Sequence, residues 1–539
     1  NIKMLVYILV IVAVFIILTF INKHKLDKIL LMASTMIYGS AAIIQDNKFY
    51  FSIGACIIMG AVTVYCVGDW LRFKLKKLPT IAIIAILGIL FTLFTGLLTS
   101  FKYLQHWAPC YDFGIFSQMF NYMKETLQPL TTCERDGLLS HFAVHFSPIY
   151  YLLLPFFFIF PSPVTLLMGQ AAIIASGLIP LYLICKRHKL SNAAVILFSL
   201  CYVLFPSMAN GCFFFLHENK FLTPLILWLA FALEKNKWIP SVIFTLLLLA
   251  VKEDAPVYAA VLGLYFIVSR RNISKGALVF VLSIIYFITV SYFMSKYGLG
   301  TMSYRYDNFI YDGSGSLFTV IKAVILNPIY TVHEAFDEEK IKFILQMLVP
   351  LAFMPLMIKK PSRIILLIPF ILLNLMSDYT YQHNINFQYT YGSAAFLFYL
   401  MILNYQDMKP GFRCKVLAVA ATSSIFMFMC NTYYRTSGYE SYKTDKNSGA
   451  IDIIDDALEL VPDDSSVAAT TFLVASLYDH REVYEFESTN HRDEVEYIVL
   501  DLRISSDDFS VDDYLNNPIY ETVENKPGYI AIFRNTTVE

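Results

Sequence analysis

Long apolar runs, separated by short polar clusters, recur along the chain from Met4 to Cys430. A helix that crosses a bilayer needs roughly 17 to 25 such residues, and about fourteen of the runs can supply that length. The pattern predicts an α-helical polytopic membrane protein. Its first run, Met4 to Ile21, is longer than a secretory-leader core and lacks a small-residue cleavage site, so it reads as a membrane helix. The chain begins with Asn1 rather than Met, as a trimmed or processed chain would. One run departs from the alternation: "PIYYLLLPFFFIF", residues 148–160, is short for a span and carries an internal proline. It is expected to be an interfacial or re-entrant helix. After about Glu440 no spanning run follows. There "AIDIIDDALELV" has helical spacing, whereas "SSVAATT", "EYIVLDL" and "GYIAIFRN" read as short strands. The chain thus divides into N-terminal membrane helices (1–79), a membrane core (80–432) with a long loop at 100–163, and a small soluble α/β domain (440–539).

Composition and charge sharpen this division. The 539 residues are 57% apolar and only 15% charged, with a mean hydropathy of +0.57, where soluble domains carry roughly 25% charged residues. The formal net charge of -1 conceals an asymmetry: from Glu440 onward there are 23 acidic residues against 7 basic, which leaves the apolar part net basic. Lys and Arg concentrate in cytoplasmic loops of membrane proteins. Here they fall in alternate loops, at Lys23/Lys25/Lys28, Arg72/Lys74/Lys76/Lys77, Lys186/Arg187/Lys189, Lys235/Lys237, Arg270/Arg271/Lys275, Lys359/Lys360/Arg363 and Lys409/Arg413/Lys415. If 148–160 does not span, every cluster faces the cytoplasm. The expected location is the plasma membrane, with the C-terminal domain extracellular and no nucleic-acid partner.

The same orientation places unusual polar groups at outer helix ends. In "HWAPCYDFGIFSQMFNYM", Asp112 opens an amphipathic stretch, where it can cap a helix N-terminus, act as a general base at the membrane edge, or both. Cys110 and Cys133 bracket this stretch, and an outward position permits a disulfide, although Cys212 is outward as well. "SHFAVHF" spaces His141 and His145 four residues apart, on one face if the segment is helical. With His217, Glu218 and Glu253 they could hold a divalent metal, but the spacing matches no zinc-protease motif, and each also reads as an interfacial hydrogen-bonding group. "KED" at Lys252, Glu253 and Asp254 is either a salt-bridged helix end or a cation set for an anionic group such as phosphate. Arg305, between Tyr304 and Tyr306, suits phosphate bidentately or sits over aromatic rings. Asp378, His383 and Tyr389 arrive on the same side.

The succession "YDFGIFSQ", "LLSHFAVHFSPIYYLLLPFF", "LLMGQ", "IPLYLICKRH", "FLHENK", "KEDAPVYAA" and "YRY" resembles a large family of predicted prokaryotic membrane proteins of unassigned function. That family in turn resembles the C-type glycosyltransferase (GT-C) superfamily; the match carried by these motifs covers about Tyr103 to Tyr391 of the chain. The resemblance implies a GT-C-like fold and an inverting glycosyltransferase that moves a sugar from a polyprenyl-phosphate donor to an acceptor hydroxyl on the outer face of the membrane. The acceptor would be an envelope glycan, lipid or protein. It implies Asp112 as catalytic base and Lys252 and Arg305 as phosphate contacts, with His217, Glu218 and Glu253 shaping the pocket. His141, His145 and Tyr389, on the same outer side, are expected to bind substrate as well. No cofactor is certain, and a divalent metal is possible. Two departures stand out. Asp112 has no acidic neighbour, so Glu134 or Asp136 of "TTCERDG" are alternative bases, and four apolar runs precede the loop where one is usual, so residues 1–79 could be an added module. The competing readings are a lipid or polysaccharide transporter or flippase, and a non-catalytic cell-surface assembly protein.

Overall fold

The computed structural model describes residues 2–21, 27–67, 76–300, 303–310, 317–505 and 509–538. Lys23, Lys25, Arg72 and Lys74 of the basic clusters lie outside these residues. Among the described residues, seven helices are long and apolar enough to cross a membrane: Ile2–Ile21, Asp27–Asp46, Phe49–Val67, Lys77–Leu104, Pro163–Arg187, Ile273–Tyr297 and Pro410–Asn431. Asn192–Val203 and Pro206–Phe214, bent by 46°, make an eighth if they count as one span. The bend has a local cause. Pro206 lacks a backbone N–H, and the residue before it, Phe205, is forced into extended geometry (φ -70°, ψ 118°). Other apolar runs counted from sequence form shorter helices, including Trp238–Leu249, Ala255–Val268 and Pro361–Leu375. Residues 148–160 form a 3₁₀ stretch, Pro148–Leu152, and a short helix, Leu154–Ile159, with Phe156, Phe158 and Ile159 exposed.

The long helices expose large apolar side chains along their length. On Lys77–Leu104, Ile86, Ile89, Leu90, Leu93 and Leu97 face outward while Phe91, Thr95 and Thr99 are buried. Such a surface suits lipid, in which helices associate through close packing and hydrogen bonds. At the centre, Tyr391–Asp407 is buried along nearly its whole length, as a helix apolar on all sides must be. Ala255–Val268 and Ile273–Tyr297 cross backbone to backbone at Gly263 and Gly276. A Cβ on Gly263 would meet the Gly276 carbonyl oxygen at 2.7 Å.

The bundle has two polar ends. At one, Glu234 accepts from His188 (2.8 Å) and Tyr399 (2.8 Å), with Arg271 at 3.5 Å. Arg187 donates to the Glu234 carbonyl, Lys275 to Asn236, and buried Arg363 pairs with Asp407 at 2.6 Å. The described basic clusters from Lys186 to Arg363 thus meet one another at this basic end.

At the other end the long loop forms an antiparallel pair, β1 (Leu130–Thr131) with β2 (Leu139–Ser140), and there the C-terminal unit docks. Its strands β3 (Ser466–Ala469), β4 (Glu482–Glu485) and β5 (Tyr497–Asp501) run parallel, β6 (Tyr520–Lys526) and β7 (Ile530–Asn535) complete the sheet antiparallel, and the order across it is β4-β3-β5-β7-β6. Its attachment to the long loop is polar and extensive. The Arg503 guanidinium donates to the carbonyls of Gln105 (2.7 Å) and His106 (2.6 Å) and lies 4.1 Å over Trp107. Thr132 and Val483 exchange hydrogen bonds at 2.6 and 3.0 Å. Asp136 accepts from the Thr489 hydroxyl and from both nitrogens of Asn490.

Candidate functional site

Asp112 lies in a five-residue turn, Cys110–Gly114, with φ 72° and ψ -66°. This is the strained γ-turn region, rarely occupied by a residue with a side chain. The expected capping role is absent: the helix Ile115–Thr126 starts after Gly114 with no side-chain cap. Instead the Asp112 carboxylate lies 3.3 Å from Nε2 of His217. Burial pushes the Asp112 pKa upward, but His217 and the Lys220 charge outweigh it, and the carboxyl ends below its ordinary range.

A second strained residue delivers the imidazole. Phe215, in "FFFLHENK", has φ 56° and ψ -167°, a region that glycine normally occupies. Its carbonyl accepts from Nζ of the fully buried Lys220 at 2.5 Å, and its ring stacks on Phe113 at 5.0 Å. The two strained turns are therefore clamped ring to ring. His217 is fixed by a stack on Phe214 (5.7 Å, 6°) and an edge contact with Phe116. Burial pushes the Lys220 amine down to about 8.

Glu218 continues the chain of charges. It accepts from Tyr150 at 2.6 Å and pairs with Lys252 at 2.7 Å, and its other neighbour is His217 at 3.7 Å. Burial would raise its pKa, yet Lys252 and His217 hold it well below the usual carboxylate range. The Lys252 amine, against the same burial, is raised by Glu218 and Glu253. Glu253 points the other way, to Nδ1 of His145 (2.8 Å) and the backbone N–H of Phe146 (3.2 Å). Despite burial, His145 takes the Glu253 carboxyl down to about 2. Asp254, next in the chain and within reach of the Arg305 charge, is pushed up to about 6 by burial.

Beside these groups lies a cavity of about 520 Å³. Asp112, His217, Lys252, Arg305, Tyr389, His141 and His145 all line it. Glu218 and Glu253 stand just behind, each holding a lining residue. Arg305 combines its two sequence readings: its guanidinium lies 5.0 Å from the rings of both Tyr379 and Tyr389, and it lines the cavity. Glu134 also lines it, 2.8 Å from His141. The other alternative base, Asp136, is taken up by Thr489 and Asn490 and does not line the cavity. His141 and His145 share a single turn rather than a helix face, with ring centroids 5.8 Å apart, and each imidazole is engaged by its own carboxylate. Among the described residues, no group of three or more His, Cys, Asp or Glu is placed to hold a metal ion. Cys110 and Cys133 are free thiols. Asp378 and His383 do not line the cavity; the Asp378 N–H donates to the Arg305 carbonyl.

Comparison with known families concerns the segment that carries this cavity. Residues 104–530 match the family described as predicted membrane protein (DUF2079). The chain belongs to that family. No match was found among curated proteins. The matched span of this DUF2079 protein includes every cavity residue and most of the C-terminal sheet, and it leaves out Ile2–Ile21, Asp27–Asp46 and Phe49–Val67.

Sequence reasoning missed Lys220, Tyr150, Phe116 and the tyrosines 379 and 381. Lys220 stood in a quoted motif beside His217 and Glu218, and a lysine among so many aromatic residues was a usable signal. The aromatic residues carried none, because aromatic rings occur throughout this chain.

Proposed function

We propose that this DUF2079 protein is a membrane glycosyltransferase that takes its sugar from a polyprenyl-phosphate donor. The observation that carries the reading is Asp112: a carboxylate on a strained turn, 3.3 Å from His217, opening into a cavity that also presents Lys252 and Arg305. Strained backbone at a polar residue is costly, roughly 1–3 kcal/mol, and persists where function requires the geometry.

In this mechanism the acceptor hydroxyl oxygen attacks the anomeric carbon while Asp112 takes its proton. The bond from that carbon to the lipid-phosphate oxygen breaks on the opposite face, so configuration inverts. The departing phosphate carries its charge toward Arg305 and Lys252, where preorganised cations stabilise it. Tyr379, Tyr381, Phe387 and Tyr389 offer flat apolar faces to the sugar. His217 and the Lys220 charge hold the Asp112 carboxyl below its ordinary range against burial. A bound phosphate adds negative charge beside Lys252 and His217 and raises the carboxyl toward the range in which a general base works. His217, linked through Glu218 to Lys252, couples the two ends of the reaction. The C-terminal domain, fastened to 105–136, is read as the extracellular roof of this site.

The test is to incubate purified wild type and Asp112→Asn in liposomes with a panel of polyprenyl-phosphate sugars, following release of the lipid phosphate by mass spectrometry. Turnover by wild type and none by the variant is the expected result. Lipid-phosphate binding by both proteins with no turnover of any donor would overturn the reading in favour of a lipid carrier.

A further inference from the structure

Two thiols flank the two carboxylates of the cavity. Cys110 stands two residues before Asp112, and Cys133 immediately precedes Glu134. Cys110 belongs to the apolar cluster beneath the C-terminal sheet and Cys133 packs against it, its thiol donating to the Val483 carbonyl at 3.3 Å and lying close enough to bear on the ionisation of Cys110. Cys110 is 1% exposed, whereas Cys133 lines the cavity. Left-handed backbone lies within three residues of each: at Asp112 after Cys110, and at Arg135 (φ 62°) and Asp136 (φ 54°) after Cys133. Most of the other cysteines are buried within apolar helices and far from either carboxylate in the chain.

We propose that Cys110 and Cys133 form a redox site whose oxidation to a disulfide staples the segment bearing Asp112 to the segment bearing Glu134. The importance of those carboxylates rests on the transferase reading; the thiol chemistry does not. The oxidant is a small or protein-borne disulfide. The Cys133 thiolate, reachable from the cavity, attacks one sulfur of that disulfide, breaking its S–S bond and releasing one thiol. Cys110 then attacks the Cys133 sulfur, forming the internal bond and releasing the second thiol. Two electrons pass from the protein pair to the carrier, and the two thiol protons finish on the released thiols. The neighbouring Cys133 thiol and burial hold the Cys110 pKa well above its usual value, and the burial persists in the mixed disulfide, so closure by Cys110 quickens as pH rises.

Oxidised glutathione is the probe, applied to the full-length protein in detergent, with maleimide alkylation and peptide mass spectrometry as the readout. The expected result is the simultaneous loss of two alkylatable thiols out of nine and one cross-linked peptide pair, Cys110 with Cys133. Cys110→Ser is expected to stall at a stable glutathione adduct on Cys133, and Cys133→Ser to leave Cys110 unmodified, so either variant suffices if the other misfolds. A wild-type protein in which Cys133 retains glutathione while Cys110 stays alkylatable, or in which neither reacts, overturns the inference. The lipid-phosphate assay run on the same samples separates the two ideas. Linkage without turnover of any donor defeats only the transferase reading, and turnover without linkage defeats only this one.

Discussion

Asp112 and Phe215 hold backbone conformations that glycine adopts at little cost, and neither is glycine. If Asp112 is retained for its carboxylate, replacing it should separate stability from chemistry. Asp112→Gly is expected to melt higher than Asp112→Ala, by about 1 kcal/mol in stability, with both inactive toward lipid-linked donors. Equal melting of the two would remove strain from the account. The Glu218–Lys252 pair makes a sharper demand, since both side chains are almost wholly buried. Lys252→Met should cost roughly 3–5 kcal/mol because it strands a buried carboxylate, and the double variant Glu218→Gln/Lys252→Met should recover much of that loss in denaturant unfolding. Asp254 supplies a pH signature. Its carboxyl titrates at about 6 in the folded protein, above roughly 3.9 unfolded. The native state therefore binds the extra proton between those values, and this residue's contribution to stability falls as pH rises from about 4 to 6. Asp254→Asn lacks the group. Its stability relative to wild type should climb across that interval by on the order of 2 kcal/mol and then level off.

At the scale of elements, legibility followed burial. Strands β3, β5 and β7, all interior to the sheet, coincide with the apolar runs read as strands. The two that were not foreseen, β4 and β6, are its edges, and "YETVENK" of β6 has no buried residue and so no apolar signal. The shorter helices were seen as runs, but their number of crossings could not be read, because a short helix of 12 or 14 residues and part of a broken span look alike in hydropathy. The glycines at 263 and 276 were also silent, although they set how closely two helices approach. Gly263→Ala puts a methyl 2.7 Å from a backbone oxygen that no rotamer can move. A loss of about 2 kcal/mol or more is expected, larger than at Gly54, where nothing lies within 4 Å. Comparing the two variants' melting temperatures checks the crossing.

Across the whole molecule, the sequence-derived site residues converge because helices that alternate in direction return their loops to the same two ends. That explains why Asp112, His217, Lys252, Arg305 and Tyr389 were legible together while Lys220 and the Phe113–Phe215 stack were not: alternation fixes an end, whereas side-chain pairing needs the fold. The same alternation makes a prediction about orientation. Lys77–Leu104, at 28 residues and ~1.5 Å per residue, is about 42 Å long, enough to carry the chain across a hydrocarbon core of roughly 30 Å. The cavity and C-terminal sheet lie at its Leu104 end, and the basic clusters lie at the opposite end of the bundle. With Cys133 and Cys414 replaced by serine, Thr444→Cys near the sheet and Lys237→Cys at the basic end are both exposed positions for a membrane-impermeant maleimide. Labelling of residue 444 in intact cells, and of residue 237 only after permeabilisation, is expected from the preference of Lys and Arg for the cytoplasmic side. The reverse pattern would put the cavity in the cytoplasm, where sugars are available on soluble nucleotide carriers. A lipid-linked donor would then lose its rationale, even with every contact around Asp112 unchanged.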